Sequence, residues 1–276
     1  MESFAGKTAF ITGGSSGIGL SVAKLLSKEG ANIAIFARNR VRLEEAMKEI
    51  EQAKKRHGQR FAWYQCDVSD NAQVKKAFTQ ALRQFDTCDI LINCAGRAYP
   101  KYFEDISYKQ FEETMKINLF GIWNTCSFLV PHMKQKGGYI VNTSSLAGLV
   151  GVFGYSDYSA SKFAIVGFSE VLRSELKRYN ITVSVLCPPD TDTPGFEVEN
   201  RTKPDETKEI SKSARVMSPD EVAQALLKGM KKKKFIILAN FDSKLTWIAK
   251  RYAPWLVEAV MLSQIKKVQK KKGTSK

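Results

Sequence analysis

Near its start the chain reads Thr12-Gly13-Gly14-Ser15-Ser16-Gly17-Ile18-Gly19, directly after the apolar run Thr8-Ala9-Phe10-Ile11. A strand that leads into a glycine-rich turn and then into a helix is typical of a dinucleotide-binding unit. Glycines let the main chain approach a pyrophosphate, which the helix dipole and its first N–H groups attract. A tight structural turn is the alternative interpretation. The residues predicted to bind a nucleotide here are Gly13, Ser15, Ser16, Gly17, Ile18 and Gly19.

The same turn also matches G-x-S-x-G, the nucleophile elbow of α/β-hydrolases. That fold requires a histidine after its serine and its acid. The chain has only His57 and His132, and both fall in predicted helices of the first half, so we interpret this match as coincidental. Two histidines also make a His-rich metal site unexpected, and we predict no metal.

Apolar runs alternate with helical patterns along most of the chain, which indicates a parallel sheet covered by helices on both faces. The predicted strands are 7–11, 32–37, 61–66, 89–93, 139–142, 181–186 and 234–238. The fold class that follows is α/β, a Rossmann-like doubly wound sheet of about seven strands. We expect this domain to span residues 1–240, with a substrate loop at about 188–217 that is either a polar flexible loop or a lid.

Charge is concentrated at the end of the chain. The net charge is +15, and residues 231–276 hold 13 Lys and Arg against Asp242 and Glu258. Aromatic and aliphatic residues recur there at helical spacing between lysine clusters, so 241–276 is predicted to be a basic amphipathic tail. Peripheral contact with an anionic membrane suits this pattern. A helix packed on the domain or at an oligomer interface is an equal alternative, and nucleic acid is unlikely because we find no recognition motif.

Composition favours the cytoplasm, with the membrane contact on its cytoplasmic face. The five cysteines are odd in number and include no C-x-x-C pair, so we expect reduced thiols. Residues 1–7 have no apolar segment of a signal peptide, and no stretch of 18 uncharged apolar residues occurs.

A tyrosine and a lysine lie one helical turn apart in Tyr158-Ser159-Ala160-Ser161-Lys162, thirteen residues after Ser145. A phenol has a pKa near ~10, and we expect the nearby ammonium, together with a cationic nicotinamide in the oxidised complex, to lower it enough for proton transfer. The Ser145 hydroxyl can polarise a substrate carbonyl; its neighbour Ser144 is disfavoured by the spacing to Tyr158. Asn118 is predicted to hold a water that relays protons to Lys162.

Arg38 follows the second predicted strand directly. An acidic residue at this point binds the ribose of NAD, whereas an arginine accommodates the 2′-phosphate of NADP. We therefore expect NADPH/NADP as cofactor, with Arg38 contacting it. Arg42, one turn later, is as often a solvated surface residue as a second phosphate contact.

Together these residues resemble the short-chain dehydrogenase/reductase family, over about residues 6–240. The resemblance rests on 12–19, Asp67-Val68, Asn93-Cys94-Ala95-Gly96, Asn118, Ser145 and Tyr158-x-x-x-Lys162. It implies that Asp67 and Val68 contact adenine, that Asn93, Ala95 and Gly96 border the cofactor, and that Tyr158 and Lys162 face the nicotinamide end. Cys94 stands where the family usually has a second asparagine.

A narrower resemblance lies in Pro188-Pro189-Asp190-Thr191-Asp192-Thr193-Pro194-Gly195-Phe196 and Glu199-Asn200-Arg201-Thr202-Lys203-Pro204. These stretches look like the segment after the sixth strand in 3-ketodihydrosphingosine reductases. The resemblance implies that Pro188 and Thr193 border the cofactor. It also implies NADPH-dependent reduction of the 3-keto group of a long-chain lipid ketone, 3-ketodihydrosphingosine, to dihydrosphingosine.

Two other functions stay open from the sequence. The same residues would serve a reductase or dehydrogenase of another lipid or steroid ketone. A non-enzymatic module that senses NADPH is the alternative from a different class. The family resemblance further suggests a homodimer or homotetramer.

Overall fold

The computed structural model describes residues 3–212 and 214–273; of Lys272 and Gly273 it describes the main chain. Seven parallel strands form one sheet, in the order β3-β2-β1-β4-β5-β6-β7. The strands are β1 (Thr8–Thr12), β2 (Asn32–Ala37), β3 (Phe61–Gln65), β4 (Ile90–Asn93), β5 (Gly138–Thr143), β6 (Ile181–Cys187) and β7 (Ile236–Leu238). The predicted doubly wound parallel sheet is therefore confirmed.

The helices connect these strands and cover both faces of the sheet. The first six are α1 (Gly17–Lys28), α2 (Arg40–Gln52), α3 (Asn71–Phe85), α4 (Tyr108–Met115), α5 (Gly121–Met133) and α6 (Ser156–Leu176). The later ones are α7 (Pro194–Thr202), α8 (Asp205–Ser211), α9 (Pro219–Lys231), α10 (Phe241–Tyr252) and α11 (Pro254–Gly273). A π-helical turn, Lys116–Phe120, joins α4 to α5.

Two buried clusters lie on opposite faces of the sheet, because successive side chains of a strand point to opposite sides. Ile11, Ile33 and Ile35 belong to the cluster beneath α1 and α9. Phe10 and Phe36 belong to the other, where Phe36 stacks on Phe78 of α3 at 4.1 Å. Strands buried on both faces explain the unbroken apolar runs in the sequence.

The strand order reverses between β1 and β4. From β1 the chain continues to β2 and β3 on one side of the sheet, and from β4 it continues to β5, β6 and β7 on the other. Ligands of doubly wound sheets bind in the crevice at the carboxyl ends of the strands at this point. The glycine-rich turn follows β1, and the segment 94–97 follows β4. The fold therefore brings the predicted nucleotide-binding residues to one edge of the sheet.

The predicted substrate loop, about 188–217, is largely helical. It contains α7 and α8, and an isolated bridge pairs Thr191 with Met217 at its two ends. Ser213 within this segment lies outside the described residues. Helix α11 packs along α8, and Lys267 of α11 forms an ion pair of 2.6 Å with Glu209 of α8. The tail is thus in contact with the segment predicted to cover the substrate.

The tail itself forms α10 and α11, separated at Pro254, and its predicted range extends to residues 274–276, which lie outside the described part of the chain. Across residues 3–212 and 214–273, helices that combine the length and the apolar character needed to cross a bilayer are absent. All five cysteines are free thiols.

Candidate active site

A cleft of about 590 Å³ lies along the carboxyl ends of β1, β2 and β4. The glycine-rich turn forms its floor, since Gly13, Ser15, Ser16, Gly17, Ile18 and Gly19 all line it. The other predicted cofactor residues that line it are Arg38, Arg42, Asp67, Val68, Ala95, Gly96 and Thr193. Its hydroxyls, arginines and the N-terminus of α1 are donors that suit the phosphates of a dinucleotide.

The backbone of the turn requires glycine at two positions. Gly13 has φ +67°, and a Cβ there would lie 2.8 Å from the main-chain nitrogen of Ala95. Gly17 has φ +53°, and its Cβ would lie 2.9 Å from Cγ2 of Thr193. A side chain at either place would be strained and would clash. The second contact also shows that the segment after β6 touches the nucleotide turn.

Arg38 leaves β2 at the open end of the cleft, with 69% of its side chain exposed. Its Nη1 lies 4.0 Å from Oδ2 of Asp67, whose other oxygen accepts hydrogen bonds from the main chain and hydroxyl of Ser69. Arg42 lies on the first turn of α2 on the same side. Arg201 of α7 also lines the cleft, and the sequence analysis did not single it out.

The side chain of Asn93 is buried below the cleft. Its Nδ2 donates to Oδ1 of Asn142 at 2.9 Å, and its Oδ1 accepts from Thr125 Oγ1 at 2.8 Å. The Asn93 side chain therefore ties β4 to its neighbours, and a contact of this residue with the cofactor would come from its main chain.

A second cavity of about 290 Å³ adjoins the cleft. Ile18, Cys94, Gly96 and Thr193 line both spaces. Ser145, Tyr158, Lys162 and Pro188 line the second one. Three of the four predicted catalytic side chains, those of Ser145, Tyr158 and Lys162, thus meet at a cavity beside the nucleotide cleft, and Asn118 is buried outside its lining.

Helix α6 presents Tyr158 and Lys162 on one face because they are four residues apart. The Nζ of Lys162 lies 5.5 Å from the centroid of the Tyr158 ring and donates a hydrogen bond of 2.9 Å to the main-chain oxygen of Thr143. Burial lowers the pKa of Lys162 to about 8. The lysine is therefore held between α6 and β5 in an environment that disfavours its charge.

The surroundings of Tyr158 in the protein alone act on its pKa in both directions. Burial raises it above its ordinary value, the carboxylates of Glu199 and Asp190 raise it further, and a hydrogen bond with Ser145 lowers it. Desolvation and the two nearby carboxylates both favour the neutral phenol. In the protein without its cofactor, Tyr158 is a protonated group, suited to donate a proton.

Ser145 and Ser144 are distinguished by their partners. The Ser144 hydroxyl is buried and donates to the main-chain oxygen of Lys162 at 2.8 Å. The Ser145 hydroxyl lines the cavity, accepts from the main-chain nitrogen of Ala147 at 3.1 Å and hydrogen-bonds Tyr158. This geometry favours Ser145, as the spacing to Tyr158 predicted.

Asn118 lies in the π-helical turn, fully buried. Its Oδ1 accepts from the main-chain nitrogen of Arg97 at 2.9 Å, and its Nδ2 donates to the main-chain oxygen of Arg97 and to Ser161 Oγ, both at 3.0 Å. A Cβ on Gly96 would lie 3.3 Å from Asn118 Oδ1 and 3.5 Å from Lys162 Nζ. Asn118 is therefore close to the lysine, but its hydrogen bonds fix the segment after β4.

A charged cluster that the sequence did not reveal lies at the same cavity. Lys203 is 2% exposed and pairs with Glu199 at 3.1 Å and with Asp190 at 3.5 Å. The Tyr155 hydroxyl donates to Glu199, and the rings of Tyr155 and Tyr158 are 5.5 Å apart. Glu199 and Lys203 are one helical turn apart in the sequence, which is the spacing of an ion pair on a helix. This spacing does not show that the two side chains are buried.

Comparison with known proteins agrees with this geometry. The short chain dehydrogenase family profile matches residues 7–204. The 3-ketodihydrosphingosine reductase of Bos taurus is 42% identical over 242 residues, which cover 87% of this chain and 71% of that protein. The protein of the same name from Dictyostelium discoideum is 41% identical over 255 residues, covering 87% and 76%.

Two solved structures share the fold. A short-chain dehydrogenase/reductase from Burkholderia phymatum, determined in complex with NAD, superposes with a TM-score of 0.83 at 24% identity, covering 93% of this chain and 96% of that one. Levodione reductase superposes with a TM-score of 0.77 at 24% identity, covering 85% and 96%. From its sequence profile, its relatives and its sheet, this chain belongs to the short-chain dehydrogenase family and is an oxidoreductase.

Proposed function

We propose that this chain reduces the 3-keto group of 3-ketodihydrosphingosine to dihydrosphingosine with NADPH. The family supports a nicotinamide cofactor, and the reductases to which the chain is about 40% identical support the substrate. The observation that carries the proposal is the position of Ser145, Tyr158 and Lys162. They line one cavity that shares its wall with the nucleotide cleft.

The donor set around the cleft fits a phosphorylated dinucleotide. Arg38, Arg42 and Arg201 all line it, which favours the extra phosphate of NADP over the bare ribose of NAD. The hydroxyls of Ser15 and Ser16 and the N-terminus of α1 suit the pyrophosphate. Asp67 and Val68 border the place predicted for adenine.

The protein's own residues handle the carbonyl oxygen. When bound, NADPH supplies the hydride that the ketone carbon accepts. Tyr158 gives its proton to the oxygen, and the Ser145 hydroxyl donates a hydrogen bond that stabilises the negative charge developing there. Lys162 would hold the nicotinamide end of the cofactor and return a proton to Tyr158, with its own proton replaced through a water that Asn118 holds.

A direct assay tests the reaction. Purified protein is mixed with NADPH and 3-ketodihydrosphingosine in detergent micelles, and loss of the reduced cofactor's absorbance is followed together with product identity. We expect substrate-dependent oxidation with dihydrosphingosine as product. NADPH binding without oxidation would move the assignment to another lipid or steroid ketone, or to an NADPH-sensing module if all such ketones fail.

We propose further that α10 and α11 rest on an anionic membrane surface, which would bring the site to a lipid substrate. Phe241 and Tyr252 of α10 and Trp255 of α11 are at least 69% exposed, and residues 231–276 carry +11 of the chain's net charge of +15. Exposed aromatic residues among lysines favour the interface of an anionic bilayer. The contact of α11 with α8 would place that surface beside the substrate segment.

Vesicle sedimentation tests the membrane proposal. We expect binding to phosphatidylserine-containing vesicles that weakens with salt and with Trp255→Ser, and weak binding to phosphatidylcholine alone. Phe103→Ser removes an equally exposed aromatic residue outside the tail and serves as the control. Equal sedimentation with and without anionic vesicles would contradict the proposal.

Self-association as a dimer or tetramer is also proposed. Phe111, Phe120, Trp123 and Phe163 of the α4–α6 region are between 40% and 58% exposed, and a groove of about 670 Å³ runs between α5 and α6. Exposed apolar surface of this kind favours an interface with a second copy. Sedimentation velocity should give two or four times the 31.0 kDa chain mass, and Trp123→Glu should shift it toward one.

A further inference from the structure

The wall of the catalytic cavity formed by α7 carries more negative than positive charge. Glu199 and Asp190 both line the cavity, and Lys203, which lies behind them, is their shared ion-pair partner. Two carboxylates therefore share one ammonium. The other cations that line the cavity have partners elsewhere, since Arg97 pairs with Glu113 at 2.6 Å and the Lys162 ammonium donates to the main-chain oxygen of Thr143.

Glu199 is held in place with one oxygen available. Tyr155 and Lys203 both contact Oε1, whereas Oε2 accepts no hydrogen bond from any residue that the structure describes. Lys203 is fixed in turn, because its Nζ lies 4.2 Å from the centroid of the Phe196 ring. The side chain of Glu199 remains 15% exposed, so the carboxylate is oriented by the protein but still reachable from the cavity.

The carboxylates lie close enough to the reaction centre to act on it. Both raise the pKa of Tyr158, and Tyr155, which holds Glu199, packs against Tyr158. A ketone bound at Tyr158 and Ser145 would share this cavity with the two carboxylates, so that one of its two neighbouring carbons can face this wall. In 3-ketodihydrosphingosine one of the carbons next to the carbonyl carbon carries an amine. The bond between these two carbons is about 1.5 Å long.

We propose that Glu199 and Asp190 bind the ammonium group of an α-amino ketone substrate and select it over neutral ketones of the same chain length. This inference rests on the proposed function and specifies how its site recognises the substrate. An ammonium has three donors and matches the excess carboxylate. Its charge would also offset the effect of the two carboxylates on Tyr158, so that binding and proton donation are coupled.

The test compares two substrates in the full-length protein. One is 3-ketodihydrosphingosine, and the other is its deamino analogue, the same hydroxy ketone without the amine. We expect the wild-type kcat/KM to favour the amino ketone by about tenfold to a hundredfold, the range of a hydrogen bond to a charged group. Glu199→Gln and Asp190→Asn should each remove most of that preference, because kcat/KM should fall more for the amino ketone than for the deamino analogue.

The variants are chosen to keep the fold. Each leaves Lys203 one carboxylate partner, and Gln at 199 retains an oxygen that can accept from Tyr155. Asp205→Asn, which removes an exposed carboxylate paired with Lys208 on α8, is the matched control and should keep the full preference. Thermal unfolding and NADPH fluorescence verify that each variant is folded and binds cofactor.

The outcomes separate this inference from the proposed function. Equal kcat/KM for both substrates in the wild type would overturn the ammonium site and leave the reductase assignment intact. Equal losses on both substrates in Glu199→Gln would also overturn it, because the carboxylate would then only position Tyr155 and Tyr158. Turnover of neither substrate, with NADPH bound, would instead reject the proposed function itself.

Discussion

The ammonium of Lys162 donates a 2.9 Å hydrogen bond to the main-chain oxygen of Thr143, the last residue of β5. This bond joins the helix that carries Tyr158 to the strand that leads into Ser145. Lys162 therefore fixes the position of Tyr158 relative to Ser145. Burial lowers the pKa of Lys162 to about 8, so this position is costly to the fold.

We predict that Lys162→Met stabilises the protein and abolishes turnover. An ammonium whose pKa falls from 10.5 to about 8 on folding destabilises the folded state when it is protonated. Methionine removes that cost but also the bond to Thr143, so we expect the free energy of unfolding at pH 7 to rise by about 1–3 kcal/mol. Urea unfolding of both proteins measures the difference.

The pH dependence provides the check. Between pH 8 and 10.5 the unfolded wild type binds a proton that the folded protein has lost, so its stability rises with pH. Below pH 8 the cost is fully present. The stability difference between Lys162→Met and wild type should therefore shrink as pH increases above 8. A difference that stays constant from pH 7 to 9.5 would show that Lys162 keeps its ordinary pKa.

Tyr158→Phe tests the proton donor. The variant removes only the hydroxyl, whose pKa burial raises and which hydrogen-bonds Ser145. We expect NADPH binding, followed by cofactor fluorescence, to stay within about twofold of wild type, and turnover to fall by about a hundredfold or more, the usual contribution of a positioned acid. Near-normal turnover would refute the assignment of Tyr158.

Most of the sheet could be predicted because its signal is local. The strand predicted at 32–37 is observed as Asn32–Ala37, and the others differ by one or two residues at their ends. Strands buried on both faces form continuous apolar runs that any short window reveals. Burial on both faces also removes the alternation of polar and apolar residues that would show which way a side chain points. Nothing in the sequence therefore shows that the Asn93 side chain faces the core.

The segment after β6 was harder to predict because long-range contacts determine its structure. Helix α7 has no fully buried residue among those described, so it lacks the apolar stripe by which helices are recognised. Thr193-Pro194, an N-cap followed by proline, was the local signal for its start. The burial of Lys203 depends on Asp190, thirteen residues earlier, and no spacing rule predicts such a pair.

Arg38→Ala tests cofactor choice. Arg38 lines the nucleotide cleft with most of its side chain exposed, so its guanidinium is accessible to a phosphate bound there. We expect the KM for NADPH to rise by about tenfold to a hundredfold and the KM for NADH to change by less than about threefold. Steady-state kinetics with each cofactor measures both effects.

Arg40→Ala is the control for this experiment. Arg40 is equally exposed, two residues away, but pairs with Glu44 at 2.9 Å and lies over the Trp63 ring. Its loss should leave the ratio of the two KM values unchanged. If both arginine variants change that ratio alike, general positive charge rather than a phosphate contact sets the preference.

Asn118→Ala separates a structural role from a proton relay. Three hydrogen bonds join the Asn118 amide to Arg97 and Ser161 in a fully buried place. Alanine would leave the main-chain N–H and oxygen of Arg97 without these partners, and each unsatisfied group costs about 1–3 kcal/mol. We expect the free energy of unfolding to fall by at least the lower end of that range, measured by urea unfolding at constant m-value.

Turnover then distinguishes the two roles. If Asn118 also holds a relay water, kcat should fall by about tenfold or more, with a solvent isotope effect that differs from wild type, at temperatures where the variant remains folded. If it only fixes Arg97 and its neighbours, the KM for NADPH should rise while kcat stays near wild type, because the segment 95–97 borders the cofactor. Among the described residues, both Nδ2 hydrogens and one Oδ1 lone pair of Asn118 have partners. The second Oδ1 lone pair is therefore the position at which a relay water could donate a hydrogen bond.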